Sequence, residues 1–455
     1  MIKVYLLSLG CSRNMVDSEV LLALLRKSHF QMIQNPEEAD VAIVNTCGFI
    51  QDAKEESIEI ILQLARMKSH GKPRAIIVCG CLAQRYSKDL TRQVKEIDAV
   101  FGTSDFVKIP EMIDRISSGE KIHEVTNRPR LLCDHNYSRD IFTPAHYAYI
   151  KIQEGCSNRC SYCVIPDLRG PLRSRTVDSL VKEIKTLCHS RALCHSRESG
   201  NLTPIKELIL IGQDTTSFGL DRGKPALVEL LRRISRLMKN GWVRLLYTHP
   251  KRFTNELIDV IADTPNICKY VDLPIQHIND TILKRMNRKT TRAEIEGLIE
   301  RLRKKIKNVT IRTSIITGFP GETSAKFKEL VSFLEDVKFD RLGAFIYSRE
   351  EGTRAGEFDG QVSKKVKNAR FDEIMSLQRE ISREKNEQLL GKRLKVLIDE
   401  KDLSGTADFV GRSHMDAPEV DGVIYVKGKR LKTGQFADVT ITGATEYDLI
   451  GEGVE

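Results

Sequence analysis

The sequence predicts an α/β protein in three parts: an N-terminal doubly wound parallel sheet, a central incomplete (β/α)6 barrel, and a small antiparallel β-barrel in the C-terminal region. Three observations carry this reading. Short apolar segments alternate with amphipathic ones from Lys3 to about Arg130; a second series of the same kind begins at Tyr147; and past Gly391 helical periodicity gives way to short strands between turn-forming residues. At 455 residues the chain is long enough for about three domains, which can bury their cores without disulfides.

In the first series the expected strands are Lys3–Ser8, Val41–Asn45, Ala75–Cys79 and Ala99–Phe101, with helices at Ser18–Lys27 and Ile50–Met67. Such alternation builds parallel sheets, because a parallel return needs a crossover. Thr126–Asp140 has little periodicity and reads as a linker. The second series has strands at Tyr147–Gln153, Glu207–Ile211, Val243–Tyr247, Tyr270–Leu273, Thr310–Ile316 and Leu342–Ile346. Helical segments follow all but the last: Thr176–Leu187, Ala226–Met238, Asn255–Ala262, Asp280–Met286 and Ser324–Val337. Six repeats suggest an incomplete barrel. The charge-rich Lys364–Leu390 can supply its sixth helix and reads most simply as a solvated connector. In the tail, Leu394–Ile398, Ala407–Val410, Gly422–Val426 and Phe436–Thr442 read as strands of a small barrel. The domains are bounded at 1–130, 142–375 and 385–455.

One segment looks foreign. Leu187-Cys188-His189-Ser190-Arg191-Ala192 is followed by Leu193-Cys194-His195-Ser196-Arg197, a near tandem copy within an insertion at 188–203. Its place after the first barrel helix puts it on the N-terminal face, away from the face that carries barrel active sites. It reads as a tolerated surface insertion; the alternative is a zinc site of paired Cys-His units.

Composition narrows the function classes. Hydrophobic content of 41% and charged content of 29% exclude a disordered or fibrous chain. The apolar runs, such as Leu208–Ile211, fall far short of the roughly 20 residues of a membrane span. Met1–Gly10 reads as a strand and not a signal peptide, so a cytoplasmic protein is expected. The net charge of +10 permits a nucleic-acid or ribosomal partner, but the tail from Gly391 holds 9 Lys and Arg against 12 Asp and Glu. Eleven cysteines in a reducing compartment point to metal, catalysis or burial before disulfides.

The densest signal is Gly155-Cys156-Ser157-Asn158-Arg159-Cys160-Ser161-Tyr162-Cys163. Three thiolates at C-x3-C-x2-C can hold three irons of a 4Fe–4S cluster and leave the fourth open to a ligand. A buried helical stripe is the competing reading. Ser, Asn, Arg, Ser and Tyr between the cysteines, with Pro166, Gly170 and Pro171 following, speak against it. A second set is scattered: Cys11, Cys47 and Cys81 each follow a strand of the first series. Loops at the carboxyl ends of parallel strands converge, so these three could share a second cluster. Gly10, Gly48 and Gly80 would let backbone come close to it. Unrelated buried cysteines remain the alternative at this level.

The first triad, with Tyr162 before its third cysteine, resembles that of the radical S-adenosylmethionine (SAM) enzymes. That resemblance implies that Cys156, Cys160 and Cys163 ligate a cluster whose open iron chelates SAM and cleaves it to a 5′-deoxyadenosyl radical. Ser8-Leu9-Gly10-Cys11, Asn14–Glu19, Val44–Ile50 and Gly80–Arg85 are similar to the N-terminal domain of the methylthiotransferases, which carry an auxiliary cluster for sulfur delivery. The resemblance selects Cys11, Cys47 and Cys81 and leaves Cys79, Cys133 and Cys268 to packing. Ile165–Arg175, Ile211–Thr216, Leu273–His277, Gly318–Thr323 and Tyr347–Thr353 extend it over nearly the whole chain. These stretches make Tyr162, Gln213, Gln276 and Arg312 candidate SAM or substrate contacts, with Asp214 beside them; His277 is not expected to be a general base.

Gly411-Arg412-Ser413, Asp416–Gly422 and Glu446–Glu452 look like the TRAM-like tail of the branch that modifies an aspartate β-carbon of small-subunit ribosomal protein S-twelve. An acidic tail poor in aromatics suits a basic protein better than a phosphate backbone. The implied set is two 4Fe–4S clusters, SAM, an external electron donor, an unassigned sulfur donor, and no direct tRNA substrate. The tRNA-adenosine methylthiotransferases are the alternative, and a non-catalytic electron carrier a remote one. Two departures stand out: Ser12-Arg13 replaces the usual Pro-Lys pair after Cys11, and the 188–203 insertion is foreign to the pattern.

Overall fold

The computed structural model describes residues 1–194 and 205–454. These form two compact units: Met1–Phe142 with Gln153–Arg159 and Cys163–Arg175, and Thr143–Ile152 with Cys160–Tyr162 and Thr176–Glu455.

In the first unit six parallel strands, β1 (Lys3–Ser8), β2 (Gln31–Ile33), β3 (Val41–Thr46), β4 (Ala75–Gly80), β5 (Ile97–Phe101) and β6 (Ile122–Glu124), lie in the order β2-β1-β3-β4-β5-β6. Helices α1 (Ser12–Lys27), α2 (Gln51–Ser69), α3 (Cys81–Gln93) and α4 (Ile109–Ser117) cover both faces. The strand period of two explains how. Val41 and Ile43 pack with Val20, Leu21 and Leu25 of α1 and Ile113 of α4, while Ala42 and Val44 pack with Ile61 and Leu64 of α2 and Leu82 of α3. β3 and β4 are buried at every residue, as strands covered on both sides must be. The paired strands β8 (Gln153–Glu154) and β9 (Arg173–Ser174), with the short helix α5 (Ile165–Arg169), belong to this unit. The 126–140 segment holds no helix or strand, but it is not a free linker: Leu131, Cys133 and Tyr137 pack on the core of this unit.

In the second unit, β7 (Tyr147–Lys151), β10 (Glu207–Ile211) and β11 (Trp242–Leu245) pair in the order β11-β10-β7, and β12 (Tyr270–Asp272), β13 (Thr310–Thr317) and β14 (Arg341–Ile346) in the order β12-β13-β14. All these pairings are parallel, and a Val243–Ile267 bridge links the two halves into the open (β/α)6 arrangement. Its helices are α6 (Val177–Cys194), α7 (Leu227–Leu237), α8 (Asn255–Asp263), α9 (Asp280–Arg285), α10 (Arg292–Lys305), α11 (Ser324–Val337) and α12 (Lys364–Glu387). α6 continues into the first Cys-His repeat; the second repeat from His195 and the remainder of the insertion lie outside the described residues.

α12 departs from the solvated connector expected of its charge. Arg370, Ile374, Gln378 and Ile381 form a buried stripe, and Gln378 donates to the Phe339 carbonyl at 3.1 Å, so it closes the sixth repeat. The tail also departs in detail. β15 (Arg393–Lys401), β16 (Phe409–Ser413), β17 (Ile424–Lys427), β18 (Phe436–Ala444) and β19 (Leu449–Gly453) close in the order β15-β16-β17-β19-β18. Strand direction cannot alternate all the way around an odd number of strands, and the one parallel pair is β17–β19.

This small barrel seats on the N-terminal ends of the large barrel's strands. His146, just before β7, meets Asp399 at 2.8 Å; Glu207 at the start of β10 accepts from Arg412 at 2.8 Å; the rings of Trp242 at the start of β11 and Phe436 lie 4.7 Å apart. Tyr270 at the start of β12 donates to Asp421 at 2.6 Å, and Arg341 at the start of β14 to Asp416 at 2.7 Å. Arg412, Asp416 and Asp421, taken from the sequence as marks of the tail, are thus spent on this floor. Asp399, Asp416 and Asp421 are all in ion pairs and do not add to the tail's free acidity.

Candidate iron–sulfur sites

Register alone brings the scattered cysteines together. Ser8 of β1 lies beside Asn45 of β3, and Thr46 of β3 beside Gly80 of β4, so Cys11, Cys47 and Cys81 leave three neighbouring strands at the same carboxyl end. Cys11 caps α1 and Cys81 begins α3. Two glycines make the approach possible. A Cβ on Gly10, whose φ is +84°, would lie 2.5 Å from Cys47 Cβ, and one on Gly48 would lie 2.8 Å from the Leu82 backbone. Cys47 is held at both ends of its peptide unit, its N–H donating to Ser57 Oγ at 3.1 Å and its carbonyl accepting from that hydroxyl at 3.0 Å. Asn14 donates to the Leu9 carbonyl at 2.8 Å and Asn45 returns a bond to the Asn14 carbonyl at 3.1 Å, pinning the first two loops.

The donor set fits a cluster. Burial pushes the Cys47 thiol up to about 11, with the charges of Cys81 and Cys11 acting in the same sense. Cys81 is also raised, chiefly by burial and against the pull of Arg169. Burial acts upward on Cys11 too, but the charge and hydrogen bond of Arg13 overcome it and the thiol lies below its ordinary value. The fit lies in the donor type: three convergent sulfurs are the soft ligands that iron–sulfur clusters take, and a coordinating thiol is deprotonated outright. No three Cys, His, Asp or Glu among the described residues meet closely enough to hold a single ion; a cubane offers each cysteine its own iron. Cys79, one position before Gly80, points into the opposite core with Ile77 and Phe101, as expected of a packing residue. Gly10→Ala should therefore add backbone strain of about 1–3 kcal/mol to the collision with Cys47. Iron per chain after anaerobic reconstitution should fall by about half, with the other triad still filled.

The loop of the second triad follows β8. Cys156 N–H donates to the Gly170 carbonyl at 3.1 Å within the first unit. In the second unit Ser161 N–H donates to Met286 O at 3.0 Å, Ser161 Oγ to Arg285 O at 2.8 Å, and Ala355 N–H to Ser161 O at 2.8 Å. Tyr162 packs edge-on to Phe319, beside Ile282, Met286 and Tyr347. Arg288, which the sequence did not single out, is buried with one Nη 4.0 Å from Cys160 Sγ and the other donating to Pro274 O.

The candidate contacts separate by height in the barrel. Gln213 stands two residues past β10, and Gln276, past β12, is held at φ +72° by backbone bonds to Ser314 and Ile316. Such a conformation in a non-glycine residue marks a position fixed by its surroundings. Arg312 lies low in β13, 3.2 Å from Asp272 and 3.4 Å from Asp421, and belongs to the floor. Asp214 pairs with Arg252 at 2.6 Å. His277 is fully buried, its Nδ1 accepting from the N–H groups of Ile278 and Asn279 and its Nε2 facing Glu322 at 3.3 Å, a structural placement. His249 is held down to about 2 by burial and by Arg288, Arg252 and Lys251, and stays neutral.

Comparison with known proteins bears on both triads. The Radical SAM superfamily matches residues 150–334, the uncharacterized protein family UPF0004 residues 3–102, and the TRAM domain residues 390–454. The radical SAM methyltransferase TsrM from Kitasatospora setae, solved with cobalamin and a 4Fe–4S cluster, shares the fold with a TM-score of 0.54 at 17% identity, over 76% of this chain and 74% of that one. Fold and triad define a radical SAM enzyme, a class that uses SAM and a 4Fe–4S cluster. The ribosomal protein uS12 methylthiotransferase RimO of Desulforamulus reducens is 46% identical over 449 residues, covering 98% of each chain, and that of Pelotomaculum thermopropionicum is 45% identical over 100% of this chain and 99% of its own. The chain belongs to the family of the RimO methylthiotransferases.

Proposed function

We propose that this protein transfers a methylthio group to the β-carbon of an aspartate in the small-subunit ribosomal protein uS12. The observation that carries the reading is the convergence of Cys11, Cys47 and Cys81 at the carboxyl ends of neighbouring strands in a chain that also holds the Cys156–Cys160–Cys163 loop. With the clusters bound, the second triad supplies reductive cleavage of SAM to a carbon-centred oxidant, and the first supplies the sulfur. The chain's own part is placement. Ser57 fixes the Cys47 peptide, the Asn14–Asn45 pair fixes the Cys11 loop, and the hydrogen bonds of Ser161 fix Cys160. We assign contact with SAM or substrate to Tyr162, Gln213 and Gln276, and leave out Arg312, which is paired with Asp272. The relatives' names identify uS12 as their substrate. A ribosomal-protein substrate implies a cytoplasmic enzyme; no helix among the described residues is long and apolar enough to cross a membrane.

The test is anaerobic turnover of the reconstituted protein with SAM, a reductant and sulfide, offering uS12 and tRNA separately and reading each by mass spectrometry. A methylthio group on the uS12 aspartate is expected. A gain on tRNA alone would keep the chemistry and overturn the substrate; no SAM cleavage and no gain would leave an electron carrier.

A further inference from the structure

We propose that Arg169 is a positioning residue for the cluster of Cys11, Cys47 and Cys81, donating a hydrogen bond to Cys81 Sγ that sets the cluster's electronic state. The inference rests on the assignment of that triad to a cluster. Arg169 ends α5, six residues after Cys163, and is only 3% exposed. Its Nη1 donates to Asp17 at 2.5 Å and lies 3.4 Å from Glu154; its Nη2 donates to Asn14 Oδ1 at 3.1 Å and to Cys81 Sγ at 3.3 Å.

A buried guanidinium needs a partner, but the arrangement does more than satisfy one. The carboxylates take a single nitrogen, and the planar fork turns its other edge toward the thiol. Asp17 and Asn14 lie on α1, which Cys11 caps, and Cys81 begins α3. One side chain thus ties together the helices that follow two of the three ligands. Glu154 stands two residues before Cys156. The reduction potential of an iron–sulfur cluster depends on hydrogen bonds to its sulfurs and on nearby charge, and a cationic donor stabilises the reduced form.

The experiment isolates the N-terminal cluster by replacing Cys156, Cys160 and Cys163 with alanine, and then compares Arg169 with Arg169→Lys and Arg169→Met. Iron content is read first, then the midpoint potential and the electron paramagnetic resonance spectrum of the reduced cluster. The expected result is a filled cluster in all three, a potential shifted to more negative values in Arg169→Met, and partial recovery in Arg169→Lys. An unchanged potential and spectrum in a filled Arg169→Met variant overturn the proposal alone. An Arg169-intact parent that binds no iron overturns the triad assignment with it. If Arg169→Met fails to fold, the parent labelled with 15N-arginine decides. Nitrogen coupling to the reduced cluster, lost in Arg169→Lys, supports the hydrogen bond; absence of coupling rejects it.

Discussion

Cys47→Ala should leave SAM cleavage running while methylthio transfer falls by more than about a thousandfold, because the residue belongs to a site that acts as a unit. Cys160→Ala should abolish both. The separation follows from where the residues are anchored. Cys47 is fixed by Ser57 of α2 and by the close approach of Gly10, all within the first unit. Cys160 is fixed by the bonds of its neighbour Ser161 to Arg285, Met286 and Ala355 in the second unit. The two triads have no cysteine in common, so losing one ligand should not empty the other set. 5′-Deoxyadenosine measured by chromatography, with and without uS12, reports on cleavage; mass spectrometry of uS12 reports on transfer. Methylthio product from Cys47→Ala at a rate near the parent's would remove the N-terminal triad from the mechanism. Loss of cleavage in that variant would mean that the sites are not separable.

The sequence made the strands and the meeting point of Cys11, Cys47 and Cys81 legible for a physical reason. Buried parallel strands are nearly continuous apolar runs, and topology then dictates which loop ends are neighbours. What it hid depends on contacts formed only after folding. Arg169 and Cys81 are 88 residues apart, and Arg288 and Cys160 are 128 apart; neither arginine carries any local sign of a sulfur partner. β2 and β6 are three-residue edge strands, too short to show a period. Charge dominates Arg292–Lys305 and hides α10, although Thr291 and Glu294 form a capping box that marks its start. β19, Leu449–Gly453, contains two glycines and reads as a turn until pairing with β17 and β18 closes the barrel. The floor was the least visible feature, since Arg412 and the acids around it read equally well as exposed docking charge.

That floor leads to the other large effect. Glu207→Gln should destabilise the second unit by about 3–5 kcal/mol, the penalty for breaking a buried ion pair from one side. Glu207 and Arg244 are fully buried, and Glu207 takes Arg244 on one oxygen at 2.7 Å and Arg412 on the other at 2.8 Å. Arg412 also binds Asp399 through Nε at 2.7 Å and Nη2 at 3.0 Å, so two guanidiniums and two carboxylates balance. Neutralising Glu207 leaves an uncompensated charge between the barrel strands and the tail. Burial alone would raise the Glu207 carboxyl, but Arg412 and Arg244 outweigh it and hold it below the ordinary range. Its stabilisation is therefore present above the unfolded-state value of about 4.3 and fades as pH falls below it. Urea unfolding at pH 7 should show a lower midpoint for the variant, and the gap from the parent should narrow below about pH 4. A variant within about 1 kcal/mol of the parent at pH 7 would show that the floor is solvated and that the tail's charges remain free to meet a substrate.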